Sequence, residues 1–257
     1  MELDNIRVSV SGNIGYLKID RPAVKNALDQ ATLNQLALGL AQLAEDKQVK
    51  VIVLTGEDNS CFSAGADIEA LAKMTIAQVE EFISQGHRCF TEIEVVSKPV
   101  IAAISGYALG GGFELALACD FIYATQSAKF GLPEVNLGIF PGFGGTQRLP
   151  RLIGAARAKE LIFSGRIIDA NQALDLGIVN KVVPEAELLE QVKKLAKEIS
   201  ANSQIAIGLA KHAINAGDTK KIEEGLNIER DDFYKCFQTK DPEKGFKAFL
   251  NKTKPEF

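Results

Sequence analysis

The stretch VIAAISGYALGGGFELALACD, residues 100 to 120, places three consecutive glycines between an apolar run and a short apolar segment that begins with Phe-Glu. Ordered glycine loses more backbone entropy than any other residue. The run Gly110–Gly112 therefore predicts that the backbone passes close to another segment or that a ligand contacts it. We expect a strand, a tight turn and a buried helix in succession, with Glu114 in the first helical turn.

The same succession of strand and helix extends through most of the chain. An N-terminal β-hairpin around Gly12 and a helix capped by Asp29 come first. A continuous apolar strand follows, and such a run is typical of a strand that is covered on both faces. This alternation predicts the α/β class. The predicted strands are 6–10, 14–19, 49–56, 99–104 and 121–124, and the predicted helices include 29–44 and 76–95.

The chain after Pro184 is predicted to be helical, in segments near 185–200, 203–216, 222–238 and 242–251. The first of these helices carries an apolar stripe that must be buried. Packing on the parent core and burial in a subunit interface both explain such a stripe, and the residues leave the two open. The stripe consists of Leu188, Leu189, Val192, Leu195 and Ile199.

Composition excludes several classes of protein. The 257 residues are 46% apolar with a formal net charge of −4, as expected of a globular protein without a basic field for nucleic acid or anionic lipid. Four cysteines without a CxxC pair predict no metal site and a reducing, cytoplasmic compartment. The N-terminus lacks the pattern of a secretory signal, and the uncharged span 99–113 is too short to cross a membrane.

A second turn, in VIVLTGEDNSCFSAGADIEAL at residues 51 to 71, has the same design as the first. Each turn joins an apolar strand to a helix through small residues, and helix N-termini present unpaired N–H groups. Two such groups could converge on one oxygen as an oxyanion hole. Close packing of strand and helix is the alternative explanation. A nicotinamide site is discounted because the G-x-G-x-x-G spacing is absent.

Two acids accompany these turns. Glu114 follows the triple glycine, and Glu134 is embedded in the apolar bend FGLPEVNLG. Each could be purely structural, but an apolar neighbourhood raises the pKa of a carboxyl group toward neutrality. Paired carboxyls beside oxyanion donors suit proton transfer at a carbon next to a carbonyl. We interpret His87 and His212 as surface or packing residues, since no G-x-S-x-G elbow indicates a hydrolytic triad.

Several motifs occur in order along the chain: RPAVKNALD at 21–29, FSAGADI at 62–68, IAAISGYALGGGFELALACDFIYA at 101–124, FGLPEVNLGIFPGFGGTQRLPRLIG at 130–154 and AFLNKTKPEF at 248–257. In these motifs the sequence resembles the crotonase, or enoyl-CoA hydratase/isomerase, superfamily. The resemblance implies a spiral of ββα repeats over residues 1–195. It also implies a C-terminal helical region, 196–257, that mediates homotrimers, which commonly pair into hexamers.

The resemblance also implies an acyl-CoA substrate and a mechanism. The N–H groups of Ala66 and Gly111 would hold the thioester oxygen, Glu114 would deprotonate a water, and Glu134 would deliver a proton to the α-carbon. An intact pair of glutamates favours hydration of short to medium trans-2-enoyl-CoA. No metal and no separate cofactor are expected, because CoA is part of the substrate. A crotonase-fold isomerase and a non-catalytic acyl-CoA-binding assembly protein are the alternatives.

The resemblance places further residues near the CoA and acyl groups. Many members have a basic residue where this chain has Ala23, although Lys25 follows two positions later. Phe113 departs from the smaller residue usual before the helical glutamate, and we expect it to fill core space. The shape of the acyl pocket is expected to depend on residues 70–77, Phe113, Leu132 and Phe140. The predicted CoA-binding residues are Ala64, Asp67, Ile68, Lys25, Gly142, Phe249 and Lys252.

Overall fold

The computed structural model describes residues 3–58 and 60–257, and its larger β-sheet has six strands. The first two strands form the predicted antiparallel hairpin, and the other pairs are parallel. In spatial order the strands are β1 (Ile6–Ser11), β2 (Ile14–Ile19), β3 (Val51–Gly56), β5 (Val100–Ile104), β7 (Phe121–Thr125) and β10 (Lys181–Val183).

A second, four-stranded sheet has much shorter strands. Its first three members run parallel, and the fourth is antiparallel to its neighbour. In spatial order they are β4 (Cys61–Ser63), β6 (Tyr107–Leu109), β8 (Lys129–Gly131) and β9 (Ile168–Asp169).

The two sheets are built by repetition along the chain. Three times in succession a strand of the large sheet is followed by one of the small sheet and then by helical structure, as β3–β4, β5–β6 and β7–β8. Neighbouring repeats pair in parallel in both sheets. The chain therefore winds as a spiral of ββα turns, which confirms the α/β class and the expected spiral.

Helices cover the sheets, and the predicted helices are confirmed to within a few residues. The Asp29 carboxylate caps the first helix by accepting from the Thr32 N–H. Every helix in the described residues is too short or too polar to span a bilayer. The helices are α1 (Gln30–Glu45), α2 (Ile68–Leu71), α3 (Ile76–Val95), α4 (Gly111–Leu117), α5 (Gly145–Ile153), α6 (Ala155–Ser164), α7 (Ala170–Asp175), α8 (Leu188–Ser200), α9 (Gln204–Gly217), α10 (Ile222–Phe237) and α11 (Asp241–Leu250), with 3-10 turns at Pro22–Val24, Pro133–Leu137 and Glu185–Glu187.

The large sheet is buried on both faces, as predicted for β3. Ile52 and Leu54 belong to the main hydrophobic core, whereas Val51 and Val53 face a second cluster that includes Val192 of α8. Four residues of the α8 stripe thus pack on the chain's own sheet, whereas Leu189 is exposed, contrary to the expectation for the whole stripe. The predicted boundary after residue 195 falls inside α8, so the division into regions 1–195 and 196–257 stays a prediction.

The last three helices leave many large apolar side chains exposed in a single chain. Water-exposed apolar area of this extent is typical of an interaction surface. The exposed side chains on α9, α10 and α11 include Ile214, Ile222, Leu226, Phe233, Phe237, Phe246, Phe249 and Leu250.

Candidate active site

The segments that follow β4, β6 and β8 meet at one cavity. Because these strands are parallel neighbours, their carboxyl ends lie at one edge of the sheet, where α/β proteins commonly bind ligands. The cavity measures about 130 Å³ and is lined mainly by apolar and small residues, together with two carboxylates. Its lining includes Ala64–Ala66, Gly110 and Gly111, Glu114, Glu134, Phe140, Gly142 and Phe143.

The triple glycine is explained by the close approach of other parts of the chain, which is one of the two causes that its sequence suggested. A Cβ on Gly112 would lie only 2.4 Å from the Ser63 carbonyl oxygen, so this glycine allows close packing of α4 on β4. Gly110 has a φ of +50°, and a Cβ there would lie 3.1 Å from Glu134 Oε1. Gly110 therefore leaves room for a carboxylate inside the cavity.

The amides of Ala66 and Gly111 are close together on the cavity wall. The position that a Gly111 Cβ would occupy lies 3.5 Å from the Ala66 nitrogen, and that of a Gly65 Cβ lies 3.2 Å from the Gly111 nitrogen. Within residues 3–58 and 60–257, neither N–H donates a hydrogen bond to a backbone or side-chain acceptor outside the regular helices and strands. Gly111 is the first residue of α4, where helical N–H groups lack intrahelical partners. Both N–H groups therefore have no acceptor in the described residues, and both residues line the cavity.

Glu114 lies in the first turn of α4 and is only 1% exposed. Its Oε1 accepts hydrogen bonds from the backbone N–H groups of Phe143, at 2.8 Å, and Gly145, at 2.7 Å. Burial and, to a lesser degree, the charge of Glu134 raise the pKa of Glu114, whereas the two N–H donors and Arg148 lower it. The net pKa is about 7. The carboxyl is therefore held firmly by one oxygen and is poised to change charge near neutral pH.

Glu134 lies in the 3-10 turn after β8, and its Oε1 lies close to the Gly110 backbone. Burial raises its pKa to about 7 as well. Its Oε2 is buried, and no hydrogen-bond donor in the described part of the chain reaches it. An unpartnered, desolvated carboxyl oxygen favours the protonated acid, which can donate a proton.

The loop 141–145 supplies contacts that the sequence did not reveal. Only the structure shows that the Phe143 and Gly145 amides of the segment PGFGG hold Glu114. Gly142 lines the cavity, and its carbonyl oxygen lies 2.7 Å from His87 Nε2. Both histidines are exposed surface residues: His87 contacts this loop, and His212 pairs with Asp232 on the C-terminal helices.

The predicted CoA-binding residues divide into two groups. Ala64, Ile68 and Gly142 line the cavity, whereas Lys25, Asp67, Phe249 and Lys252 do not. Asp67 caps α2 through the Ala70 N–H and lies 3.5 Å from Arg21. Lys25, with a φ of +53°, accepts the Ala64 N–H at its carbonyl oxygen and so braces the cavity wall from behind.

Of the residues expected to shape the acyl pocket, some line the cavity and others are buried in the core. Phe113 is buried and packs edge-on against Phe130, with ring centroids 5.5 Å apart, which confirms that it fills the core. Leu132 is buried beside Gly145 and does not line the cavity. Leu71, within the predicted stretch 70–77, and Phe140 do line it.

Comparison with known proteins identifies relatives over the whole chain. The family profile described as Enoyl-CoA hydratase/isomerase matches residues 9–257. Crotonyl-CoA hydratase of Syntrophomonas wolfei is 44% identical over 100% of this chain and 99% of its own length. Short-chain-enoyl-CoA hydratase of Clostridium acetobutylicum is 42% identical over 100% of this chain and 98% of its own. The crystal structure of an enoyl-CoA hydratase from Bacillus anthracis superposes with a TM-score of 0.95 at 42% identity, covering 99% of each chain.

Proposed function

This chain belongs to the enoyl-CoA hydratase/isomerase family, and we propose that it catalyses the reversible addition of water to short trans-2-enoyl-CoA thioesters. Its activity is that of a hydro-lyase, and the product is a 3-hydroxyacyl-CoA. The observation that carries this proposal is the pair of carboxyls, Glu114 and Glu134, on one cavity beside the amides of Ala66 and Gly111.

Negative charge develops on the thioester oxygen as water attacks the β-carbon. We assign the Ala66 and Gly111 N–H groups to that oxygen, because neither has an acceptor among the residues that the structure describes and both residues line the same cavity. Donors of this kind stabilise an oxyanion more strongly than a ground-state carbonyl, and each contributes roughly 10²–10³ in rate. Holding the oxygen also fixes the α- and β-carbons relative to the two acids.

The two acids divide the proton transfers. Glu114, anchored through Oε1, takes a proton from the water while the hydroxyl of that water bonds to the β-carbon. Protonated Glu134 gives a proton to the α-carbon. A turnover thus adds one hydroxyl and one hydrogen across the double bond. Transfer of a proton from Glu114 to Glu134 through solvent restores the starting state. The reaction needs no separate cofactor or metal, since CoA is part of the substrate.

We keep the remaining assignments as proposals. Ala64, Asp67, Ile68, Lys25 and Gly142 contribute to the CoA end of the site, and Phe249 and Lys252 reach it from a neighbouring subunit. Exposed apolar side chains on α9–α11 support a homotrimer or a hexamer of two trimers. Four free cysteines support a cytoplasmic location.

The experiment is hydration of crotonyl-CoA by the purified protein, followed by loss of absorbance of the conjugated thioester. Glu114→Gln and Glu134→Gln are each expected to lower kcat by about 10²–10⁴-fold, the contribution of a positioned acid or base. Circular dichroism should show both variants folded. Wild-type turnover in both variants would exclude these roles.

A second substrate separates the alternatives. If the protein converts a 3-enoyl-CoA to the conjugated isomer without taking up water, it is an isomerase. If it binds acyl-CoA but leaves both substrates unchanged, it is a binding protein. Either result would overturn the hydratase proposal.

A further inference from the structure

We propose that Arg148 and Glu94 are a positioning pair for Glu114, in that they hold the loop 141–145 so that its amides bind one oxygen of that carboxyl. The proposal rests on the function proposed above. It concerns residues outside the cavity lining, on α5 and α3.

Arg148 connects α3 to the loop through three hydrogen bonds. Its Nε and Nη2 donate to the two carboxylate oxygens of Glu94, at 2.6 Å and 2.8 Å. Its Nη1 donates to the Phe143 carbonyl oxygen, at 2.8 Å. A guanidinium group is planar, so binding Glu94 with one edge orients the remaining donor.

The loop backbone that Arg148 holds is also the backbone that binds Glu114. The Phe143 carbonyl belongs to the peptide group that also supplies the Gly144 nitrogen, and the amides on either side, of Phe143 and Gly145, donate to Glu114 Oε1. If the Phe143 carbonyl turns, the Phe143–Gly144–Gly145 backbone turns with it. The contact of Arg148 therefore determines whether both N–H groups meet the carboxyl at once.

Gly144 shows that the local backbone accommodates the arginine. Its φ is +108°, in a region that L side chains rarely adopt, and a Cβ there would lie 2.1 Å from Arg148 Nη1. The guanidinium thus lies directly against the bare glycine backbone. Arg148 and Glu94 are also largely shielded from solvent, with side chains 17% and 34% exposed.

An ordinary stabilising ion pair is the competing explanation, and the ionisation of Glu114 separates the two. The charged groups that act on Glu114 are Glu134 and Arg148, and the two amides of the loop also lower its pKa. Releasing the loop removes hydrogen bonds to the ionised carboxyl and raises its pKa further. The acidic limb of the kcat profile, which reports the base in the enzyme–substrate complex, would then shift to higher pH.

The experiment compares Arg148→Met, Arg148→Lys and Glu94→Gln with the wild type, using crotonyl-CoA across a range of pH. Arg148→Met is expected to lower kcat by about 10²-fold, as misplacement of a catalytic group by ~1 Å can do, with KM changed only a few-fold. Arg148→Lys keeps the positive charge but loses the planar guanidinium group that binds Glu94 and the Phe143 carbonyl at once. We therefore expect a lower kcat and an acidic limb shifted to higher pH in this variant too. Glu94→Gln should act in the same direction with a smaller effect.

Matched controls lie on the same two helices. Arg151→Met on α5 and Glu81→Gln on α3 remove charges that form surface contacts, and we expect wild-type kcat and pH profiles from both. The double variant Arg148→Met/Glu94→Gln should be no slower than Arg148→Met alone, because the two residues act as one unit.

Three results would overturn the proposal. One is an Arg148→Lys enzyme with the kcat and pH profile of the wild type. A positive charge at this position would then be enough for full activity, without the geometry of the guanidinium group. Another is an Arg148→Met enzyme that loses thermal stability but keeps its kcat. If Arg148→Met does not fold, an unchanged kcat and acidic limb in Glu94→Gln decides against positioning. Failure of the wild type to hydrate crotonyl-CoA would instead refute the proposed function.

Discussion

At the scale of single residues, Glu114 experiences two opposing influences on its charge. Burial favours the neutral acid, whereas the Phe143 and Gly145 N–H groups favour the carboxylate, and burial prevails, with a pKa of about 7. A base with this pKa is half ionised near neutral pH and still strong enough to take a proton from water. The same residue makes folding dependent on pH.

The folded state binds more protons than the unfolded state between pH 4.5, the ordinary pKa of the group, and about 7. Stability therefore falls as pH rises through this window and is restored as pH falls below it. One pKa unit corresponds to about 1.4 kcal/mol, so ionising buried Glu114 costs about 3 kcal/mol at pH 8. Glu114→Gln, which carries no charge, should be more stable than the wild type at pH 8, and this difference should shrink to about 1 kcal/mol or less at pH 5.

Thermal or urea denaturation at the two pH values measures this difference. Glu81→Gln, at an exposed carboxyl of α3, is the control, and its stability relative to the wild type should be the same at both pH values. If Glu114→Gln were less stable than the wild type at pH 8, the two hydrogen bonds would outweigh burial, contrary to our expectation.

At the scale of elements, α3 is the support on which the loop 141–145 rests. The Phe143 ring packs edge-on against Phe82 and Phe90, with centroids 5.1 Å and 5.5 Å away. Gly86, between these two phenylalanines on α3, leaves the space that the Phe143 ring occupies. On the same helix, His87 contacts the loop directly, and Glu94 contacts it through Arg148. One helix thus positions donors to Glu114 by apolar packing and by hydrogen bonds.

Gly86→Ala tests this support. Alanine normally favours a helix over glycine by about 1 kcal/mol, but a Cβ at Gly86 would lie 2.3 Å from the Phe143 ring. Overpacking of a core typically costs about 1–3 kcal/mol, so we expect a net loss of stability and a lower kcat as the loop moves. Denaturation and crotonyl-CoA turnover are the measurements.

Gly225→Ala is the matched control on another helix. A Cβ there would be no closer than 3.9 Å to another atom, the Gly217 Cα, so this variant should be as stable as the wild type or more stable. Equal tolerance of alanine at the two positions would contradict the role we give to Gly86.

At the scale of the whole molecule, the spiral and the C-terminal helices have different surroundings. The sheet of the spiral is covered on both faces, the outer one by α8. The helices α9–α11 instead present large apolar side chains to solvent. A monomer with this surface would be prone to association, which is why we place the proposed subunit contacts there.

Leu226→Glu places a charge among these side chains, at a residue of α10 that is 53% exposed. If α9–α11 form the subunit interface, the variant should dissociate toward single chains at concentrations where the wild type is oligomeric. Sedimentation velocity measures the mass. Leu38→Glu on α1, at a residue 46% exposed, is the control and should keep the wild-type mass. A monomeric wild type, or an unchanged mass in Leu226→Glu, would contradict the proposal.

Long elements could be predicted from the sequence, and the smaller sheet could not be predicted from the residues alone. The helix 76–95 is confirmed, and the buried strand predicted over 49–56 is confirmed from residue 51 onward. Each is long enough for its periodicity or apolar run to be distinctive. The strands β4, β6 and β8 have three residues each, too few to show alternation, and only the family resemblance implied them.

The sequence by itself determined the alternation of strand and helix, the two small-residue turns and the presence of two candidate acids, because these features depend on neighbours in the chain. Only the tertiary structure decided that Glu114 and Glu134 share a cavity, that Phe143 and Gly145 hold one of them, and that Arg148 and Glu94 hold the loop. The physical reason is the parallel stacking of successive ββα turns, which brings together residues far apart in the chain and removes their carboxyls from water.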